Sequence, residues 1–407
     1  MTGVQSLAKA LFLSLPLHGH TNPTLPLVRE LAARGDEIAY YSTEPFAEAI
    51  ASVGGMFRAY RDGYLRELNF LPVNTDELSW LLMRASASVL PGELENFRRE
   101  RPDYVITDAV APWGQWVGKI LGVPVVTSVP TFAFNRHVMA FGVRQGLRPQ
   151  SAGRFATKFR HMARAWRLQR TLRRTYGVDG PGVIASVMGR SGLNIVYTSR
   201  AFQPCAETFD DSYCFVGPST TRPEDPAAFP WESLGGGRRV YVSLGTMFNA
   251  NADFYRTCFE AFGEEDFQVI LALGTRVSLE SLGTPPANFL IVPRVPQIAL
   301  LERVQAFVSH GGMNSVNESL SFGVPLVVIP QMSEQELVGR QVEALGAGVC
   351  LTRGAVKAEA LRGAVRRVLG ETQFRESAAG LGAGFAEAGG VGRGVDAIGK
   401  YWKEGDR

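Results

Sequence analysis

Ala306-Phe307-Val308-Ser309-His310-Gly311-Gly312-Met313-Asn314-Ser315-Val316-Asn317-Glu318 contains a short apolar run, two glycines and then a pattern with helical spacing. That order reads as a buried strand, a tight turn and a helix. A strand that feeds a helix directly is half of a crossover in a parallel sheet. The junction leaves the first N–H groups of the helix without intrahelical partners and adds the positive end of its dipole, so it favours an anion, and a diphosphate suits it. Gly311 and Gly312 let the backbone approach closely, and His310, Asn314 and Ser315 bring further donors. Glu318 follows Asn314 by one helical turn on the same face, where its carboxylate can accept both hydroxyls of a ribose. Taken alone, the same letters also describe a plain strand-to-helix turn with His310 as packing.

The same alternation extends in both directions. In the second half, strands are expected at Arg239–Leu244, Val269–Leu273, Phe289–Val292, Ala306–Ser309 and Pro325–Ile329, with a helix through Phe254 to Phe262. In the first half they are expected at Leu11–Leu15, Ile38–Ser42, Tyr104–Thr107, Val123–Ser128 and Leu193–Tyr197. A helix follows Leu15, with Asn22 predicted as its N-cap, Pro23 at its first position and Gly35 closing it. Residues 218–230 are rich in Pro, Thr, Ser and acids, as a linker would be. At 407 residues the chain exceeds what one core usually organises. The expected architecture is α/β, with two Rossmann-like doubly wound parallel-sheet domains facing across a cleft. The first spans 1–217, a linker 218–236 and the second 237–385, while a helix in 386–407 packs back on the first domain. Ligands on such sheets bind at the carboxyl ends of the strands, which makes the cleft the expected site.

Composition narrows the function classes. A net charge of +3 over this length disfavours a polyanion such as nucleic acid as the main partner. The four cysteines lack metal-ligand or disulfide spacing and read as thiols. No signal-peptide pattern opens the chain, and no run approaches the roughly 20 apolar residues that span a bilayer, so a cytoplasmic protein without integral membrane association is expected. One segment stands apart: no acid lies between Asp108 and Asp179, while Arg136, Arg144, Arg148, Arg154, Lys158, Arg160 and five more arginines do. It reads as a membrane-surface or anionic-acceptor face, or as a solvated helix face whose stems pack on apolar neighbours.

Taken in order, Ser-Leu-Gly-Thr (243–246), Val-Pro-Gln (295–297), His-Gly-Gly-Met-Asn-Ser-Val-Asn-Glu (310–318) and Pro-Gln-Met-Ser-Glu-Gln (330–335) resemble the donor-binding half of bacterial macrolide-type glycosyltransferases. These belong to the UDP-glucosyl and UDP-glucuronosyl transferase superfamily with the GT-B fold. His-Gly-His-Thr-Asn-Pro-Thr-Leu-Pro-Leu (18–27) resembles that group's opening signature, so the likeness runs nearly the length of the chain. It implies that Ser243, Thr246, His310, Gly312, Asn314 and Ser315 hold the diphosphate, Val295 and Gln297 the base, and Glu318 the ribose. Glu334 and Gln335 would bind sugar hydroxyls; the family often shows Asp-Gln there, and the departure bears on sugar selectivity.

Transfer to an alcohol also needs a base, and an imidazole is suited to that work. His18 and His20 compete for the role on sequence alone; the likeness selects His20, the histidine directly after glycine. Asp108 ends another strand, where it would orient the imidazole or, alternatively, cap a helix over Ala109–Leu121. The implied reaction is direct displacement with inversion, moving a hexose from a UDP- or TDP-sugar to a lipophilic small molecule. No Asp-x-Asp occurs, so neither a metal nor another cofactor is expected. Trp80, Trp113, Phe132, Phe134 and Met139, with Trp116, are candidates for an apolar acceptor pocket or for core. Competing readings are a noncatalytic activator of the same fold, a nucleotide-sugar 2-epimerase and, less well supported without Gly-x-Gly-x-x-Gly, a Rossmann dehydrogenase. The chain is expected to act as a monomer or homodimer.

Overall fold

A computed structural model describes residues 8–61, 75–147, 155–183, 185–219, 229–246, 249–352 and 356–405. Residues 220–228 of the expected linker, and Arg148 and Arg154 of the basic segment, lie outside these. The chain forms two compact units, one from Met1–Val143, Arg148–Thr221 and Ala388–Arg407, the other from Arg222–Glu387 with Arg144–Leu147.

The first unit holds a parallel sheet of β1 (Lys9–Leu13), β2 (Glu37–Ser42), β3 (Met56–Ala59), β4 (Tyr104–Asp108), β5 (Val125–Val129), β6 (Leu193–Val196) and β7 (Tyr213–Phe215). Their spatial order is β3-β2-β1-β4-β5-β6-β7. The second unit holds β8 (Arg239–Ser243), β9 (Gln268–Ala272), β10 (Phe289–Val292), β11 (Ala306–Ser309), β12 (Leu326–Val328) and β13 (Gly348–Cys350), ordered β10-β9-β8-β11-β12-β13. All pairings are parallel. Both units are therefore Rossmann-like, as the strand and helix patterning predicts. In each, the unit's first strand lies beside its fourth, β1 against β4 and β8 against β11. There the crossovers change direction, and the diverging loops leave a crevice at the carboxyl ends.

Burial on both faces explains why these strands read as unbroken apolar runs. In β1, Ala10 and Phe12 face one core with Leu27, Val28, Leu31, Tyr40 and Ile106. Leu11 and Leu13 face the other, with Val89, Leu90, Val105, Trp116 and Val117. The helix Gly390–Gly405 adds Val395 and Ile398 to the first of these cores, and its Trp402 stacks on Tyr104 with ring centroids 6.2 Å apart.

Several expected boundaries are corrected. β1 ends at Leu13 rather than Leu15, and the following helical turn starts at His18, before the predicted cap Asn22. The Leu17 carbonyl accepts from the N–H groups of His20 and Thr21, which opens the turn early; Asn22–Thr24 continue it as a 3-10 segment into the helix Leu25–Ala33. Gly35 (φ 101°) closes that helix as expected. β5 begins at Val125, because Pro124 has no N–H to give and contributes only its carbonyl, to Val105. The helix after Asp108 starts at Pro112, not Ala109, with Ala111 rather than Asp108 at its N-cap. Three edge strands, β3, β7 and β13, are additional to those expected.

Candidate active site

In the first unit the register Leu13↔Thr107 brings the exits of β1 and β4 level at the switch point. His20 does not end the strand, as expected, but rides the helical turn beyond it. From there its Nδ1–H donates to Asp108 Oδ2 at 2.8 Å. The imidazole is 13% exposed and the carboxylate 1%, so the pair reaches solvent through the ring alone. Asp108 is held by more than the histidine, because its Oδ1 accepts from the Val110 N–H at 2.8 Å. The turn that carries His20 is pinned as well. Thr24 Oγ1 donates to the Thr21 carbonyl at 2.7 Å and lies 2.8 Å from the Tyr40 hydroxyl, and Tyr40 stacks on Phe12. With Nδ1 donating to an acceptor-only carboxylate, the lone pair falls on Nε2. His18, its rival in the sequence, is exposed and sets its ring edge against Phe46 at 5.0 Å.

In the second unit Ser309↔Ser243 is the last pair of the β11–β8 ladder, so the loops after both strands meet at that sheet's switch point. Gly312 caps the helix Met313–Ser321 with no side chain to occupy its first N–H groups, and no acid lies in the first turn. The His310 ring is clasped by glycines: a Cβ on Gly245 (φ +71°) would lie 2.5 Å from its Cε1, and one on Gly312 2.6 Å from its Nε2. Burial pushes this imidazole down to about 4, against an opposing pull from the backbone of Ser243, so at neutral pH it offers an N–H dipole without a net charge. Its Nδ1 is buried and lacks a hydrogen-bond partner among the described residues. The Ser243 hydroxyl accepts from the Gly245 N–H at 3.1 Å, and Thr246 is exposed in the same turn.

Behind this nest runs a polar relay. Tyr241 OH donates to Gln297 Oε1 at 3.0 Å, which orients the amide so that its Nε2 donates to Glu318 Oε2 and, at 3.5 Å, to Ser315 Oγ. Burial pushes the Glu318 carboxyl up to about 7, although Gln297 favours its ionised form. Asn314 and Ser315 are half-buried on the first turn of the helix, and Val295 is half-buried just before Gln297. Glu334 is half-buried in the first turn of the helix Ser333–Ala344. Gln335 beside it is buried, and its Oε1 accepts from the Gln331 N–H at 2.8 Å, bracing the loop in front.

The aromatic candidates divide. Trp113 and Trp116 are fully buried, and Phe132 is nearly so, packing against Phe202 at 5.3 Å. Trp113 Nε1 donates to Tyr60 OH, and both rings belong to the core beneath the sheet. These three offer no surface to a ligand, which leaves them the core alternative: the helix Pro112–Leu121 packs Trp113 and Trp116 into the core that also holds Leu11, Leu13 and Val105, and Phe132, beyond β5, is covered by Phe202. Trp80 and Phe134 keep partial exposure, and Met139 is 57% exposed.

Over nearly its whole length the chain is 34% identical to the NDP-glycosyltransferase YjiC of Bacillus subtilis (strain 168), an alignment covering 96% of this chain and 97% of the relative. The chain belongs to the macrolide-type glycosyltransferases. Residues 256–388 match the family model described as erythromycin biosynthesis protein CIII-like, C-terminal domain. Demethyllactenocin mycarosyltransferase of Streptomyces fradiae is 33% identical, with 96% of this chain and 86% of the relative covered. The solved structure of CalG4, the calicheamicin glycosyltransferase, superposes with a TM-score of 0.81 at 28% identity, covering 98% of each chain. The two Rossmann-like sheets are thus those of a GT-B glycosyltransferase. Among the described residues of this glycosyltransferase no group of three His, Cys, Asp or Glu side chains is placed to hold a metal ion. No described helix is long and apolar enough to cross a membrane. Tyr241, Thr24 and Tyr40 act only through other residues and carry no mark of that in their neighbours, and Gly245 of the Ser-Leu-Gly-Thr motif shows its role only through the His310 ring beside it.

Proposed function

We propose that this glycosyltransferase moves a hexose, glucose first, from a UDP- or TDP-sugar to a hydroxyl of a lipophilic small molecule such as a macrolide, polyketide or phenol, inverting the anomeric carbon without a metal ion. The observation that carries the reading is the buried Asp108 carboxylate 2.8 Å from His20 Nδ1. That pair makes Nε2 a base and steadies the imidazolium it becomes, equipment that a protein binding only a nucleotide sugar does not need. The acceptor oxygen forms its bond to the anomeric carbon as its proton passes to Nε2. On the opposite face the bond to the diphosphate oxygen breaks, and the electron pair leaves with the diphosphate. The amides of Met313, Asn314 and Ser315, with His310, Ser243 and Thr246, receive that charge; donors already aimed at developing charge supply a large part of catalysis. Gln297 and Val295 contact the base, Glu318 the ribose, and Glu334 and Gln335 the sugar. The two stations lie in separate units, and the proposal has them serve one reaction. Lack of an Asp-x-Asp sequence supports independence from metal.

The test is product mass spectrometry with UDP- and TDP-sugars against phenols and macrolides, and anomeric configuration by NMR. His20→Ala should lower turnover about 10²- to 10⁴-fold with donor binding intact. Ordinary turnover in that variant, or a product with retained configuration, sinks the mechanism.

A further inference from the structure

We propose that the exposed face of the helix Phe155–Tyr176 docks this protein onto an anionic lipid surface. One side of the helix is committed to the fold: Ala165 and Leu172 are buried, and Met162, Leu168 and Tyr176 pack on the same core. The other side exposes Phe159 (73%) and Trp166 (55%). Seven residues apart, these two rings stand two turns apart on one line of the helix. Arg160, Arg167, Arg170 and Arg174 are exposed around that line. Large apolar groups set in a field of cations make an interfacial surface, the rings entering the headgroup boundary while guanidinium groups meet phosphates.

A purely structural role covers Arg164, whose guanidinium lies over the Trp80 ring at 5.9 Å, and the end of the helix, where Arg173 and Arg174 complement the negative pole and Arg173 pairs with Asp179 at 2.9 Å. It does not reach Phe159, Arg160, Trp166 or Arg167, several turns earlier. The segment supplies no carboxylate between Asp108 and Asp179 to neutralise them. At the helix end Arg170 and Arg174 flank a shallow open depression beside Arg173 and Gly177, which extends the cationic face. A net charge of only +3 over the whole chain is too little to steer a polyanion, whereas a local patch of rings among cations suits a lipid boundary, which favours a membrane over a nucleic acid. The contact is peripheral, with the helix in the plane of the surface.

The full-length protein is sedimented with vesicles of phosphatidylcholine alone and with vesicles that also contain about 30% phosphatidylglycerol, an anionic lipid. Binding is expected to the anionic vesicles and to fade towards about 0.5 M salt. Loss of one arginine contact should cost about fivefold in partitioning, so Arg167→Glu with Arg170→Glu should cost at least about 25-fold. Phe159→Ser with Trp166→Ser should weaken binding but keep its salt dependence. Transfer to a water-soluble phenol should be unchanged in all of these variants, which shows them folded and keeps this test separate from the proposed reaction. Equal partitioning to both vesicle types, wild-type partitioning by the double glutamate variant, or retention on single-stranded DNA without vesicle binding would overturn the proposal.

Discussion

If Glu318 accepts the ribose hydroxyls as a carboxylate, donor affinity must follow its ionisation. Burial raises its pKa from 4.5 to about 7, so between those values the folded state holds a proton that the unfolded chain has released. The sign is therefore that this group stabilises the empty protein fully below about pH 4.5, and the benefit, about 3 kcal/mol, is lost as pH rises through 7. For the donor the order is reversed, because the ionised fraction is the competent one, roughly 0.1 at pH 6 and 0.9 at pH 8. The apparent Kd should then tighten about tenfold between those pH values. The assay is calorimetric titration with intact UDP-glucose, whose diester phosphates take up no proton in that range. His310 does not confuse the reading, since it is neutral throughout with a pKa of about 4. Glu318→Gln should bind about tenfold or more weakly at pH 8, because a hydrogen bond to charge is lost, and should show no slope. A wild-type Kd that stays level from pH 6 to 8, or a slope that survives in Glu318→Gln, would refute the ribose role and the ionisation argument together.

Further outcomes follow from the same geometry. Asp108→Asn should cut kcat about 10²- to 10⁴-fold with donor Kd unchanged, because an amide no longer imposes the Nδ1–H tautomer; stopped assays with calorimetry check both halves. Gly245→Ala puts a methyl 2.5 Å from the His310 ring at φ +71°, so denaturant titration should register a loss of about 1–3 kcal/mol and calorimetry a weakened donor. His310, with its pKa depressed from 6.5 to about 4, makes the fold gain stability as pH rises across that window, the opposite of Glu318. Wild-type stability should therefore be nearly level from about pH 4.5 to 6.5, whereas His310→Gln should lose about 3 kcal/mol over that rise, read from urea midpoints.

The amino-acid sequence by itself determined the local pieces. A run such as Ala306–Ser309, closed by Gly311-Gly312 and followed by helical spacing, reads as a buried strand and a close turn into a helix, because the information sits in neighbouring residues. The turn at Gly312 and the carboxylate of Glu318, one helical turn beyond Asn314, are legible for that reason. Tertiary structure alone decided what distant segments do to each other. Asp108 meets His20 across 88 residues because β4 inserts beside β1, and that adjacency supplies the partner that the likeness, which selects His20 over His18, leaves open between orienting the imidazole and capping a helix. Trp113 reads the same in core or pocket, and only the packing of its helix on β1 and β4 buries it completely. The pKa values of Glu318 and His310 likewise belong to the fold, since desolvation depends on everything packed around a group and on nothing within it.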